Sequence, residues 1–129
     1  MKHYNITKVI IGCFYDVYNG LGYGFLESVY ERAMTIELER KGLLVACQYP
    51  IRVYYDGHVV GEFRADMLVQ NAVIVELKAA SQITEPHKAQ LLNYLNATEY
   101  EVGLLLNFGP KAEYVRKVFD NERKKYLPS

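Results

Sequence analysis

The chain has 129 residues, half of them hydrophobic, which suits a single domain with its own core. Fifteen Lys and Arg balance fifteen Asp and Glu, so the chain lacks the basic field that drives strong non-specific binding to nucleic acid. No apolar run approaches the ~18 residues of a membrane span, and the N-terminus carries no signal-peptide cleavage pattern, so a cytoplasmic location is expected.

No Pro/Ser/Gly-rich linker, repeat or low-complexity stretch divides the chain, so one domain over residues 1–129 is expected. Cys13 and Cys47 lack metal-ligand spacing and read as two buried, reduced thiols. Most of the twelve tyrosines read as half-buried rings at element edges, with the hydroxyl wet.

Asn5 or Thr7 is positioned to cap a first helix ending near Tyr18, because Val9, Ile10, Cys13, Phe14 and Val17 recur at helical spacing. Asn19-Gly20-Leu21-Gly22-Tyr23-Gly24 then predicts a loop needing positive φ or close backbone approach. A second helix is predicted over 26–41, stopped by Gly42, with a broad apolar arc of Leu26, Val29, Tyr30, Ala33, Met34, Ile36 and Leu38. Glu27 falls within that arc at the glycine-loop end. It is either a carboxylate escaping to water in the first turn or an acid aimed at a cleft.

A strand over 47–55 leads to Asp56-Gly57, a hairpin signal, and a return strand over 58–69 with a kink near Gly61. Gln70-Asn71 turns into a third strand over 72–79. Pro86 opens a helix running to Ala97, with Ala89, Leu91, Leu92 and Leu95 on its apolar side. Val102-Gly103-Leu104-Leu105-Leu106 reads as a buried central strand, and 113–119 as an edge strand. The order predicts an α+β mixed sheet flanked by helices. From Lys111 to Lys125, six basic residues face three acids, which reads as a solvated segment with phosphate contact as the alternative.

The chemistry concentrates in the middle strands. In Val73-Ile74-Val75-Glu76-Leu77-Lys78, Glu76 and Lys78 share one face of an apolar strand. Opposite charges there are costly unless paired or used. Asp66 lies ten residues upstream on the neighbouring strand, and any short turn brings it opposite Glu76 or one step off. An acid followed by acid-x-lysine is the pattern of a metal-dependent phosphodiesterase. Asp66, Glu76 and the backbone carbonyl of Leu77 offer hard oxygen ligands for Mg2+ or Mn2+, and Glu27 can reach the ion through water. Lys78 can orient the attacking water or stabilise developing charge. Gln90 and Tyr94, four residues apart, share one helix face and can orient a phosphate or contact a carboxylate or base. His58 reads as a hairpin residue and His87 as a solvated first-turn histidine.

These fragments resemble a known family. Gly24-Phe25-Leu26-Glu27-Ser28-Val29-Tyr30 is similar to the signature of the GxxExxY proteins, a group within the PD-(D/E)xK nuclease superfamily. The likeness continues through Asp66, Glu76-Leu77-Lys78, Gln90-Leu91-Leu92-Asn93-Tyr94-Leu95 and Val102 to Gly109, and covers residues 6–119. It implies a restriction-endonuclease-like core and a Mg2+-dependent nuclease. Asp66 would be the acidic metal ligand, Glu76 and Lys78 the signature acid and lysine, Glu27 the acid on the preceding helix, and Gln90 with Tyr94 a QxxxY element. Ala65 stands where a proline is usual. Nucleic acid, DNA first, is the implied partner, and a homodimer is left open.

Two other readings compete. A non-catalytic binding module on the same fold is compatible with the zero net charge and small size. A purely structural reading pairs Glu76 and Lys78 with residues such as Arg64.

Overall fold

The computed structural model describes residues 2–124. Two helices, α1 (Tyr4–Leu21) and α2 (Glu27–Arg40), precede three antiparallel strands, β1 (Val45–Tyr55), β2 (His58–Val69) and β3 (Val73–Lys78). Helix α3 (Glu85–Asn96) crosses over to β4 (Val102–Phe108), which runs parallel to β3, and β5 (Ala112–Val118) closes the edge antiparallel to β4. The sheet order is β1-β2-β3-β4-β5. This is the mixed, helix-flanked α+β sheet that the element order predicts.

Local chemistry sets most boundaries. Asp56 and Gly57 have φ of 51° and 78°, and Gln70 and Asn71 have 55° and 49°. Both turns therefore use the doubly positive φ that matches strand twist in tight hairpins. The kink expected near Gly61 is a register shift between Val53 and Tyr54, opposite it.

Several expectations need correction. Helix α1 starts at Tyr4 after His3, with neither Asn5 nor Thr7 as its cap. It also continues through Gly20, and the chain turns only at Gly22, whose φ is 70°. The apolar arc of α2 is narrower than its sequence reads. Tyr30, Met34 and Leu38, at i, i+4 and i+8, are buried, whereas Leu26, Val29 and Ile36 stay exposed. The cap of α3 is Thr84, whose hydroxyl accepts from the His87 N–H while His87 Nδ1 accepts from the Thr84 N–H. His87 is thus half of a capping box rather than a solvated bystander. Cys13 is buried, but Cys47 is exposed on edge strand β1, with its Sγ 3.4 Å from Thr35 Oγ1; neither forms a disulfide. Tyr30, Tyr94 and Tyr100 are core residues rather than edge rings. Lys125, counted with the basic segment, lies outside the described residues.

The sheet separates two cores. On one side Met67, Val69, Val73, Val75 and Leu77 pack with α1 and α2. On the other, Leu68, Ile74 and Leu105 pack with Leu91, Tyr94 and Leu95 of α3. The β1–β2 ribbon changes sides partway along. Cys47 and Met67 face α2, yet Tyr49 and Ala65, two residues on in each strand, belong with the α3 side. Strict alternation would keep them on one face. The ribbon must therefore rotate at Gln48 and Asp66, and Gln48 takes a φ of 54° in mid-strand.

The far end of β3 is fastened by Asn107 of β4, which is fully buried. Its Oδ1 accepts from the Ala80 N–H at 2.9 Å and its Nδ2 donates to the Ala80 carbonyl at 3.0 Å. Gly109 must lack a side chain here, since a Cβ would come within 2.1 Å of the Ala80 oxygen. Replacing Asn107 with Ala strands both Ala80 groups, and urea denaturation is expected to show a loss of about 2–3 kcal/mol. A loss below about 0.5 kcal/mol would show that the latch is idle.

Candidate active site

At the level where the ribbon rotates, the ladder between β2 and β3 gives way to side chains. The last paired residues are Met67 and Val75, which places Asp66 directly opposite Glu76. Glu76 Oε2 accepts from the Asp66 N–H at 2.7 Å, and Asp66 Oδ2 accepts from the Leu77 N–H at 2.7 Å. Each carboxylate thus satisfies a backbone amide of the opposing strand. Glu76 is only 4% exposed. Burial first, then the Asp66 charge, pushes its pKa up to about 8. Burial also raises Asp66, against the Leu77 N–H, Lys78 and Gln48, which favour its charged form.

Lys78 Nζ donates to Gln90 Oε1 of α3 at 3.2 Å. Tyr94 follows one turn later. Burial, and then the charges of Glu76 and Asp66, raise its pKa and keep the phenol protonated. Burial lowers His87, and the Lys78 charge pushes the same way. Arg64, the example of an ion-pair partner in the structural reading, instead donates its guanidinium to the Gln48 carbonyl at 3.2 Å. Among the described residues, neither Glu76 nor Lys78 forms an ion pair.

Glu27 opens α2 and lines a small cavity of about 120 Å3 with Ser28, Glu31, Gln48 and Asp66. Its placement follows from Tyr30. That hydroxyl donates to the Gly22 carbonyl at 2.7 Å and accepts from the Phe25 N–H at 3.2 Å. The Tyr30 ring stacks on Phe108, centroids 4.1 Å apart at 13°. The glycine loop is thereby tied to the core. Gly22 and Gly24 serve positive φ (70° and 112°) rather than close approach, since a Cβ at either meets nothing within 4 Å.

Two further polar residues belong to this cluster and escape the sequence reading. Glu31 Oε1 accepts from Gln48 Nε2 at 2.7 Å, and the Glu31 charge raises Glu76. Glu31 lies four residues after Glu27, a helical spacing that offers a usable signal. Gln48 carries none, because its role follows from the ribbon's rotation.

The donor set is chemically suited to a hard cation. Two carboxylates on adjacent strands lie close together, Glu76 buried and Asp66 half-buried, and their mutual repulsion disfavours double ionisation without a positive charge between them. Among the described residues no three His, Cys, Asp or Glu side chains are gathered to hold a metal.

The raised Glu76 pKa has a measurable consequence for stability. The group ionises near 4.5 in the unfolded chain and near 8 in the folded one. Its contribution is therefore fully present below the lower value and is lost as pH rises through the upper one. In chelator, Glu76→Gln should leave stability unchanged near the lower pH and raise it at the upper, by about 4 °C in Tm per kcal/mol recovered. A pH-independent difference between the two proteins would contradict this.

Comparison with known proteins agrees with the fold. The crystal structure of SSO0001 is similar at a TM-score of 0.58 and 18% identity, over 73% of this chain and 51% of that one. The chain thus spans about half the length of that protein. The likeness supports a restriction-endonuclease-like core. A search of curated proteins finds no match. No helix among the described residues is long and apolar enough to cross a membrane. Residues 4–118 match the PD-(D/E)XK nuclease superfamily, and the chain belongs to it.

Proposed function

We propose that the protein is a Mg2+-dependent nuclease, with Mn2+ as a substitute, that hydrolyses phosphodiester bonds of nucleic acid, DNA first. Within the superfamily it is read as one of the GxxExxY proteins, because Gly24, Glu27 and Tyr30 form one mechanical unit: the tyrosine ties down the loop and the loop sets where the acid begins its helix. A cytoplasmic setting fits the unpaired Cys13 and Cys47. A single domain over 1–129 is part of the proposal, and a homodimer is left open.

The observation that carries it is the meeting of Asp66 and Glu76 across a splayed strand pair, with Lys78 two residues on and held by Gln90. Asp66 and Glu76 would hold the ion, with the Leu77 carbonyl as a further ligand and Glu27 reaching it through water. Bound there, the metal supplies Lewis-acid stabilisation of phosphoryl charge and a more acidic water. Lys78 carries its ammonium beside the acids, where a phosphoryl oxygen gains charge as water attacks phosphorus and the leaving oxygen departs. Gln90 fixes the lysine's direction, and a fixed donor need not reorganise during the reaction. Tyr94 remains a neutral phenol, able to donate to an oxygen of the acid pair or the substrate.

Purified protein with Mg2+ or Mn2+ should cut DNA or RNA, and Lys78→Ala should lower the rate by about 100-fold or more. Undiminished cutting by that variant would remove Lys78 from the chemistry. Absence of cutting on every substrate and with both ions would favour a non-catalytic binding module instead.

A further inference from the structure

Gln90 belongs to two neighbourhoods. It accepts from Lys78 at 3.2 Å, and it also lines an open groove of about 510 Å3 between α3 and the β1–β2 ribbon. Aromatic rings stand on both sides of that groove: Phe63 from β2 and Tyr94 from α3, centroids 5.9 Å apart with planes inclined at 41°. Tyr94 is buried, but Phe63 is 47% exposed, so apolar ring surface is left facing water. The Phe63 ring is placed by its neighbour. A Cβ on Gly61 would lie 2.9 Å from the ring's Cε2, so the missing side chain makes room for the ring. The groove is lined by no charged residue, and its polar side chains are the amides of Gln90 and Asn93 and the phenol of Tyr94.

We propose, resting on the nuclease reading above, that this groove receives one unpaired nucleobase beside the scissile phosphate, and that the substrate is a single-stranded nucleic acid. The groove and the acid–lysine cluster share Gln90, which lines the one and accepts from Lys78 of the other, so a nucleotide adjoining a phosphate at Lys78 would lie toward the groove. Bases within a duplex have both faces covered by neighbours. Only an unstacked base offers a π face to Phe63, and side-chain amides can then hydrogen-bond its edge. Stacking is indifferent to base identity, so the groove by itself would impose little sequence preference. The volume lies in the range of small-ligand sites.

The test is fluorescence anisotropy in chelator, with a labelled single-stranded oligonucleotide and the blunt duplex of the same sequence. The wild-type protein should bind the single strand more tightly. Phe63→Ala should weaken that binding about tenfold and leave duplex binding unchanged, and Phe63→Trp should retain it. Phe63 is half exposed, so loss of the ring should leave the fold intact, and circular dichroism of each variant checks this. Equal or tighter binding of the duplex would overturn the proposal, as would an unchanged single-strand affinity in Phe63→Ala or no oligonucleotide binding at all. A change in oligomeric state without a change in affinity would make the groove a contact between copies and would also overturn it. Cleavage with Mg2+ separates the two ideas. Phe63-dependent binding without cleavage sinks the nuclease reading and leaves the groove; cleavage that favours duplex and ignores Phe63 does the reverse.

Discussion

Two carboxylates, Asp66 and Glu76, sit between strands where a backbone ladder would ordinarily continue, each bonded to an amide of the opposite strand. The arrangement works only if several other features hold. The strands must separate just past Met67 and Val75. The ribbon must rotate at Gln48, which accepts a strained φ of 54° to do so. The end of β3 must be fixed from the other side, and the Asn107 latch on Ala80 does this. Without these supports Glu76 would have no reason to stay buried, since an unpaired carboxylate gains more from water.

The burial is a strain on the fold that the two cores offset. Raising Glu76 to about 8 means that the folded chain resists its full ionisation at neutral pH. Uncompensated charge of this kind is typical of positions kept for chemistry rather than stability. The surroundings add to it: Glu31 raises Glu76 and Glu27 raises Asp66, so the local field is acidic despite a net charge of zero. A cation is the natural remedy, and Lys78 relieves the field only in part. Whole-chain charge balance therefore says little about this site.

Much of this was legible in the chain. The element order and mixed sheet follow from hydrophobic periods and from turn residues such as Asp56-Gly57 and Gln70-Asn71. The nearness of Asp66 to Glu76 follows from a short turn between apolar strands, although the register had to be seen to choose opposite over one step off. Other features were hidden for physical reasons. The exposure of Leu26, Val29 and Ile36 depends on how α2 is rolled against its neighbours, which one helix's periodicity cannot define. Tyr30 is marked in the sequence by its place in the apolar arc and the GxxExxY signature, but not as the anchor of the glycine loop, because its hydroxyl finds partners eight and five residues back, in a loop whose path no local rule gives. Gln48 looked ordinary because the ribbon's rotation is a tertiary effect. Glu31 could have been found from its spacing to Glu27, and His87 from the Thr84 capping pattern.

Joint binding of a divalent ion by Asp66 and Glu76 is measured by titrating Mn2+ into the protein and following free Mn2+ by electron paramagnetic resonance. The wild-type protein should show a binding site that is lost in Asp66→Asn and in Glu76→Gln and kept in Lys78→Ala. Binding that survives both acid substitutions, or no binding by the wild-type protein at millimolar metal, would contradict it.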